Sequence, residues 1–291
     1  MPFATINGIK VNYVIEGSGP PLLMFAPGGF WSVMANWTAR DGKNAWKEMD
    51  ALVTLARHFT VIAYDRRESG LSGGRVEPLT WDAYVSEAIG LLEVAQAKHA
   101  YILGGCMGAS LAAALAVRHP SLCKGLILHW PVGGYQWMMK GHTAFNRHIE
   151  FVRANGLQAV VARAQQGKNF WSDGEGGPWA TVIAADPMFA AQFAKQAVGR
   201  YIAIVEQSRD TIFNDTMPSG ASGAELMRIQ TPALIVSGND ASHTVSSSWA
   251  LKELMPNAER WDVIPPHQNA QNTLEQILRF TARLESAALA A

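Results

Sequence analysis

Gly104-Gly105-Cys106-Met107-Gly108-Ala109-Ser110, in one-letter form GGCMGAS, is the stretch whose reading decides the fold. The apolar run Ala100-Tyr101-Ile102-Leu103 precedes it, and a string of good helix formers, Leu111 to Val117, follows. It therefore reads as a tight turn between a buried strand and a helix. A thiol stands at its centre, with one glycine two residues before it and another two after. Two readings compete. One makes Cys106 a packing thiol in a glycine-rich corner, since free cysteine is among the most buried residue types. The other makes the turn a device for presenting a nucleophile.

Outward from that turn, strand and helix patterns alternate. Residues 3–7 and 9–16 are β-rich segments joined at Asn7-Gly8, a hairpin signal. Short strand patterns follow at 21–26, 59–64, 100–103, 125–130, 233–237 and 259–264. Helical patterns sit between them at about 46–57, 81–98, 108–119, 246–255 and 269–288. This alternation predicts βαβ units and a mostly parallel sheet, with the opening hairpin at one edge. The strands read as near-continuous apolar runs, as expected of strands covered on both faces. From about Gly134 to Leu226 the alternation stops. That region reads as helices at 144–155, 157–167 and 188–212 with glycine-rich joints, inserted between two strands as a helical cap. The expected division is a core over 1–133 and 229–291, with the insertion at 134–228.

In open α/β sheets, ligands bind beyond the carboxyl ends of the strands. The residues that end these strands are Pro27-Gly28-Gly29, Asp65, Cys106, Trp130, Asp240 and His267. A thiol, a carboxylate and an imidazole occur among them in the chain order nucleophile, acid, His. With these residues in view, the sequence resembles the α/β-hydrolase superfamily over nearly its whole length. GGCMG matches the nucleophile elbow, APGGF the region usually written HGxx, and YDRRESGLS (Tyr64 to Ser72) the D-x-R-x-x-G-x-S loop. VSGND and PPHQ match the acid and His loops. The combination is similar to a cysteine-nucleophile subgroup; dienelactone hydrolases and polyhydroxyalkanoate synthases also carry Cys at the elbow. The chain departs from the usual pattern at Pro27, which replaces the His of the HG motif, and at Cys106 itself. The resemblance implies an α/β-hydrolase fold, with an eight-stranded, mostly parallel sheet, helices on both faces and an inserted helical cap.

The chemistry can also be argued from the residues. A helix starting near Met107 presents free N–H groups and its positive end to the thiol, which favours thiolate. His267 would take the thiol proton and later protonate the leaving group, while Asp240 holds the imidazole in the useful tautomer. The backbone N–H groups of Met107 and Gly29 would hold the oxyanion, with Phe30 as a near alternative to Gly29. His267 has seven rivals, His58, His99, His119, His129, His142, His148 and His243, and alone sits in the final strand-to-helix loop. His243 follows Asp240 closely and is read as lining the site. Asp65 and Arg67 are read as bracing their loop, and Cys123 as a core residue.

There are ten Trp. Of these, Trp31, Trp130 and Trp137, with Phe30, are the expected lining of a pocket for an apolar or aromatic small molecule. The chain of 291 residues is 48% hydrophobic with a formal net charge of +0, so no electrostatic nucleic-acid binder is indicated. No H-E-x-x-H, C-x-x-C or phosphate-loop pattern occurs, and no metal or other cofactor is expected. Two Cys make no disulfide framework, and no run approaches the ~18 apolar residues of a membrane span. The resulting expectation is a cytoplasmic enzyme without membrane or nucleic-acid partners, compatible with a homodimer. The expected activity is hydrolysis of a carboxylic ester, lactone or thioester through an acyl-Cys106 intermediate. Acyl transfer, carbon–carbon bond cleavage and a receptor with vestigial hydrolysis are the alternatives.

Overall fold

The computed structural model describes residues 2–38, 50–168, 170–214 and 220–289. The strands are β1 (Phe3–Ile6), β2 (Ile9–Glu16), β3 (Pro21–Phe25), β4 (Thr60–Tyr64), β5 (Ala100–Gly105), β6 (Cys123–His129), β7 (Ala233–Val236) and β8 (Ala258–Trp261). They form one eight-stranded sheet in the order β1-β2-β4-β3-β5-β6-β7-β8. The edge hairpin is antiparallel, with Ile6 opposite Ile9 across Asn7 and Gly8. Both turn residues have positive φ, 51° and 75°, as a two-residue hairpin turn requires. β2 pairs antiparallel with β4, and from β4 to β8 every pairing is parallel.

Strand alternation divides the core into two halves. Leu23, Phe25, Ile62, Tyr64, Ile102, Leu126, Leu128 and Ile235 face one side of the sheet. Leu22, Met24, Val61, Ala63, Tyr101, Leu103, Ile127, Leu234 and Val236 face the other. Both sets are buried, which explains why these strands read as unbroken apolar runs. Helices α1 (Ala51–Leu55), α2 (Trp81–Val94), α3 (Met107–Arg118), α9 (Val245–Leu254) and α10 (Ala270–Leu289) connect or flank the strands. The helix expected over 46–57 lies partly outside the described residues.

Between β6 and β7 the described residues hold helices and no strand: α4 (Tyr135–Ala164), α5 (Ala180–Ala185), α6 (Pro187–Ala194), α7 (Val198–Ile212) and α8 (Gly223–Leu226). Gly156, at φ 73° and ψ 178°, breaks α4 where the sequence separates 144–155 from 157–167. The helix expected over 188–212 is in fact two. α6 ends at Ala194, and Ala197 takes extended backbone before α7 begins. No described helix is long and apolar enough to cross a membrane.

Candidate active site

The turn after β5 is a strained elbow. Cys106 has φ 56° and ψ −123°, a conformation that L side chains rarely adopt. Its neighbours hold it there. A Cβ on Gly104 would collide with the Gly108 carbonyl, and one on Gly108 with the Phe25 carbonyl. Glycine at both positions therefore lets α3 start directly against β3 and β5. Cys106 N–H donates to the His129 carbonyl at 3.1 Å, tying the elbow to the end of β6. The thiol is partly exposed, whereas Cys123 is buried and burial alone pushes its thiol up to about 12. Burial pushes the Cys106 thiol up as well. His243 and the backbone N–H groups of Gly28 and Met107 outweigh that, and the net shift is downward.

The histidine beside this thiol is His243, not His267. His267 is exposed on the single turn Pro265–His267, and Gln268 takes the inward position beside it. The Gln268 amide accepts from Trp130 Nε1 at 2.7 Å and donates to the carbonyls of Ser237 and Val263. The expectation of a relay through His267 is thus corrected: its loop turns a glutamine, not the imidazole, towards the strand ends. His243 reaches the site from the loop after β7. Asp240 Oδ1 accepts from the N–H groups of Ser242 and His243, at 2.8 and 2.9 Å, and this side-chain turn folds the loop back. His243 Nδ1 then donates to the same carboxylate at 2.9 and 2.8 Å. Gly238 permits the return, because a Cβ there would collide with the Cβ of His243. His243 also bridges Gly133 at the end of the β6 loop.

His243 Nε2 is buried and makes no fully formed hydrogen bond among the described residues. Cys106 acts on His243 first through side-chain hydrogen bonding and then through charge. Burial alone would lower the His243 value; the Cys106 thiolate and then Asp240 raise it to about 9. Burial raises the Asp240 carboxyl, but His243 and the two loop amides bring it below the ordinary range. His129 lies close by and stays neutral, since burial and then the His243 charge hold it well below the usual imidazole range. Cys106, His243 and Asp240 thus form one interacting set, in which the thiol is shifted down, the imidazole up and the carboxyl down. The short Asp240-to-His243 spacing was the sequence signal for this pairing.

The remaining expected residues divide. Met107 opens α3 with its N–H on the sulfur. Gly29 and Phe30 lie in the loop after β3. Phe30 is the hub of an aromatic cluster, with ring centroids 5.4 Å from Phe145, 5.2 Å from Phe170 and 5.6 Å from Trp171. Trp137 joins it, 5.7 Å from Trp171 and 5.1 Å from Phe213. Trp171 lies against Gly29, leaving no room for a Cβ there. Trp130 is half-buried, its ring 5.9 Å from that of His243. Trp31 stands apart at the surface, 36% exposed, in a recess shared with Ala164 and Ala180. Asp65 and Arg67 do brace their loop. Asp65 accepts from the N–H groups of Met34 and Leu71 and from Asn12 Nδ2. Arg67 pairs with Glu68 at 2.9 Å and Glu77 at 2.6 Å. No group of three or more His, Cys, Asp or Glu among the described residues could hold a metal ion.

An elbow after the fifth strand, a parallel sheet of this order and an acid loop after the seventh define a class. The chain belongs to the alpha/beta hydrolase fold family, whose model matches residues 21–271. It is 29% identical over 44% of its length to the uncharacterized hydrolase YraK of Bacillus subtilis, covering 43% of that protein. It is 30% identical over 43% of its length to the 2-hydroxymuconate semialdehyde hydrolase of a Pseudomonas species, covering 41% of it. The chain therefore matches less than half the length of these relatives. Among solved structures, a meta-cleavage product hydrolase from Pseudomonas fluorescens superposes with a TM-score of 0.60 at 20% identity, over 100% of this chain and 98% of that one. At that identity the likeness is one of fold.

Proposed function

We propose that the protein hydrolyses a carboxylic ester, lactone or thioester through an acyl-Cys106 intermediate, with His243 as proton carrier and Asp240 as its support. The observation that carries this reading is the alignment of Cys106, His243 and Asp240, with two backbone N–H groups on the sulfur. In the first half-reaction the Cys106 thiolate adds to the substrate carbonyl carbon. The oxyanion is held by Met107 N–H and an amide of the loop after β3. The imidazolium of His243 gives its Nε2 proton to the departing alkoxide or thiolate, and the carbonyl re-forms as a thioester on Cys106. In the second, neutral His243 removes a proton from water, whose oxygen adds to the thioester carbon. The acid leaves and the thiolate–imidazolium pair returns. Asp240 stabilises the imidazolium and fixes its orientation throughout. In this reading the helices between β6 and β7 cap the site, and the aromatic cluster around Phe30 favours an apolar or aromatic acyl group.

The similarity to a protein named 2-hydroxymuconate semialdehyde hydrolase supports a second reading, hydrolysis of a carbon–carbon bond next to a carbonyl. A panel of p-nitrophenyl esters, lactones, acyl-thioesters and vinylogous diketones, read with intact-mass detection, separates the two. Ester-type turnover with an acyl adduct mapped to Cys106 is expected. Turnover of the diketones alone would replace the first reading with the second.

A further inference from the structure

The loop after β3 is held by more of its carbonyl groups than of its N–H groups. Ser32 Oγ donates to the Ala26 carbonyl at 2.8 Å, and Asn36 Nδ2 donates to those of Pro27 and Trp31 at 2.6 and 2.8 Å. Arg66 N–H donates to the Ser32 carbonyl at 3.0 Å, and Arg66 Nη2 donates to the Gly29 carbonyl. Ser69 Oγ and Asp65 Oδ1 take the N–H groups of Ser32 and Met34. The N–H of Gly28 is on the Cys106 sulfur. Those of Gly29 and Phe30 are left over among the described residues.

Arg66 is the one side chain in this set that carries a full charge to a loop carbonyl from beneath. It is 3% exposed, its guanidinium lies 4.4 Å above the Tyr84 ring, and Glu68 and Glu87 are near enough to feel its charge. A buried cation held by a ring, by carboxylates and by one carbonyl has few other places to go. The peptide between Gly29 and Phe30 is trans, so its C=O and N–H point in opposite directions. The Gly29 carbonyl points to the Arg66 guanidinium. The N–H of Phe30 is therefore turned away from Arg66.

We infer that Arg66 is a positioning residue for the oxyanion site: by holding the Gly29 carbonyl it aims the Phe30 N–H, rather than that of Gly29, at the space over Cys106. This rests on the acyl-cysteine reading for its chemistry, but not for its test. Arg66 touches no substrate and acts only through one peptide plane.

Two measurements on the intact chain check it. Alkylation of Cys106 by iodoacetamide builds no oxyanion and reports only the thiolate. Protection of Cys106 from alkylation by phenylacetaldehyde, in excess of that given by the non-electrophilic 2-phenylethanol, reports a hemithioacetal, whose oxygen occupies the oxyanion site. In Arg66→Met the alkylation rate should stay within about twofold of wild type, while aldehyde protection weakens by about a hundredfold, the size of one lost oxyanion donor. Arg66→Lys keeps the charge beside Glu68 and Glu87, and so the fold, but lacks the planar fork; its protection should weaken about tenfold. If either folded variant protects as well as wild type, or if alkylation falls in step with protection, Arg66 does not position the loop. Loss of protection in the variants of an enzyme that turns over no ester, lactone or thioester would leave this inference standing and remove the acyl-cysteine function.

Discussion

At the scale of single residues, the proposal depends on which histidine serves the thiol. Cys106→Ala and His243→Ala should each lower turnover by at least about a thousandfold with the fold intact, whereas His267→Ala should stay within about threefold of wild type. Steady-state kinetics on the best ester decide it, and a crippled His267→Ala beside an active His243→Ala would return the role to the last loop. The pH profile follows from the same pair. Cys106 is ionised below the ordinary thiol value of ~8.5, and His243 keeps its proton up to about 9. Activity should rise with pH as the thiolate forms and fall through about pH 9 as the leaving group loses its proton donor. Iodoacetamide should label Cys106 well ahead of Cys123 at pH 7; equal labelling would show that the pair is not charged. The strained elbow at Cys106 was legible in the sequence because glycines at 104 and 108 mark a close approach of backbones that a Cβ would block. The histidine beside the thiol was not. Whether His267 or Gln268 faces inward depends on one residue of register in a proline-rich turn, which no pattern in the chain specifies.

At the scale of elements, the site depends on how closely α3 approaches β3. Gly108→Ala would drive a methyl group into the Phe25 carbonyl, and backbone cannot swing aside as a side chain can. The helix would have to retreat, carrying the Met107 N–H away from the sulfur. The expected result is a loss of about 1–3 kcal/mol in unfolding free energy and slower alkylation of Cys106. Denaturant titration and labelling test the two effects separately, and a variant as stable and reactive as wild type would mean the contact relaxes freely. The alternation of strands and helices was readable here because the central strands are buried on both faces and the glycine joints fall at their ends. The region between β6 and β7 was readable only in part. Gly156 marks its break plainly, but the step from α6 to α7 at Ala197 leaves no glycine or proline behind.

At the scale of the whole molecule, a buried ionisable group links stability to pH. Glu87 is 3% exposed, its carboxylate accepting from Arg67 N–H. Burial, and then the charge of Glu68, push it up to about 8. Its unfolded value is ~4.3, so between those limits the unfolded chain has released a proton that the folded chain keeps. The contribution is fully present at acid pH and is lost as pH rises through about 8. Glu87→Gln keeps an acceptor for Arg67 and should flatten this slope, raising the melting temperature above wild type at pH 8.5 by about 2–4 °C for each kcal/mol recovered. Parallel pH dependences in scanning calorimetry would mean that Glu87 is already ionised. The placement of acid and base within four residues of one loop reaches further. In the proposed reading the reacting groups end at His243, and none of them lies beyond β8. A protease nick in the Pro265–His267 turn would leave every group of the set on the larger fragment. The terminal helix α10, packed back through Ile277 and Phe280, then serves as a detachable brace, and a two-fragment molecule should still react at Cys106.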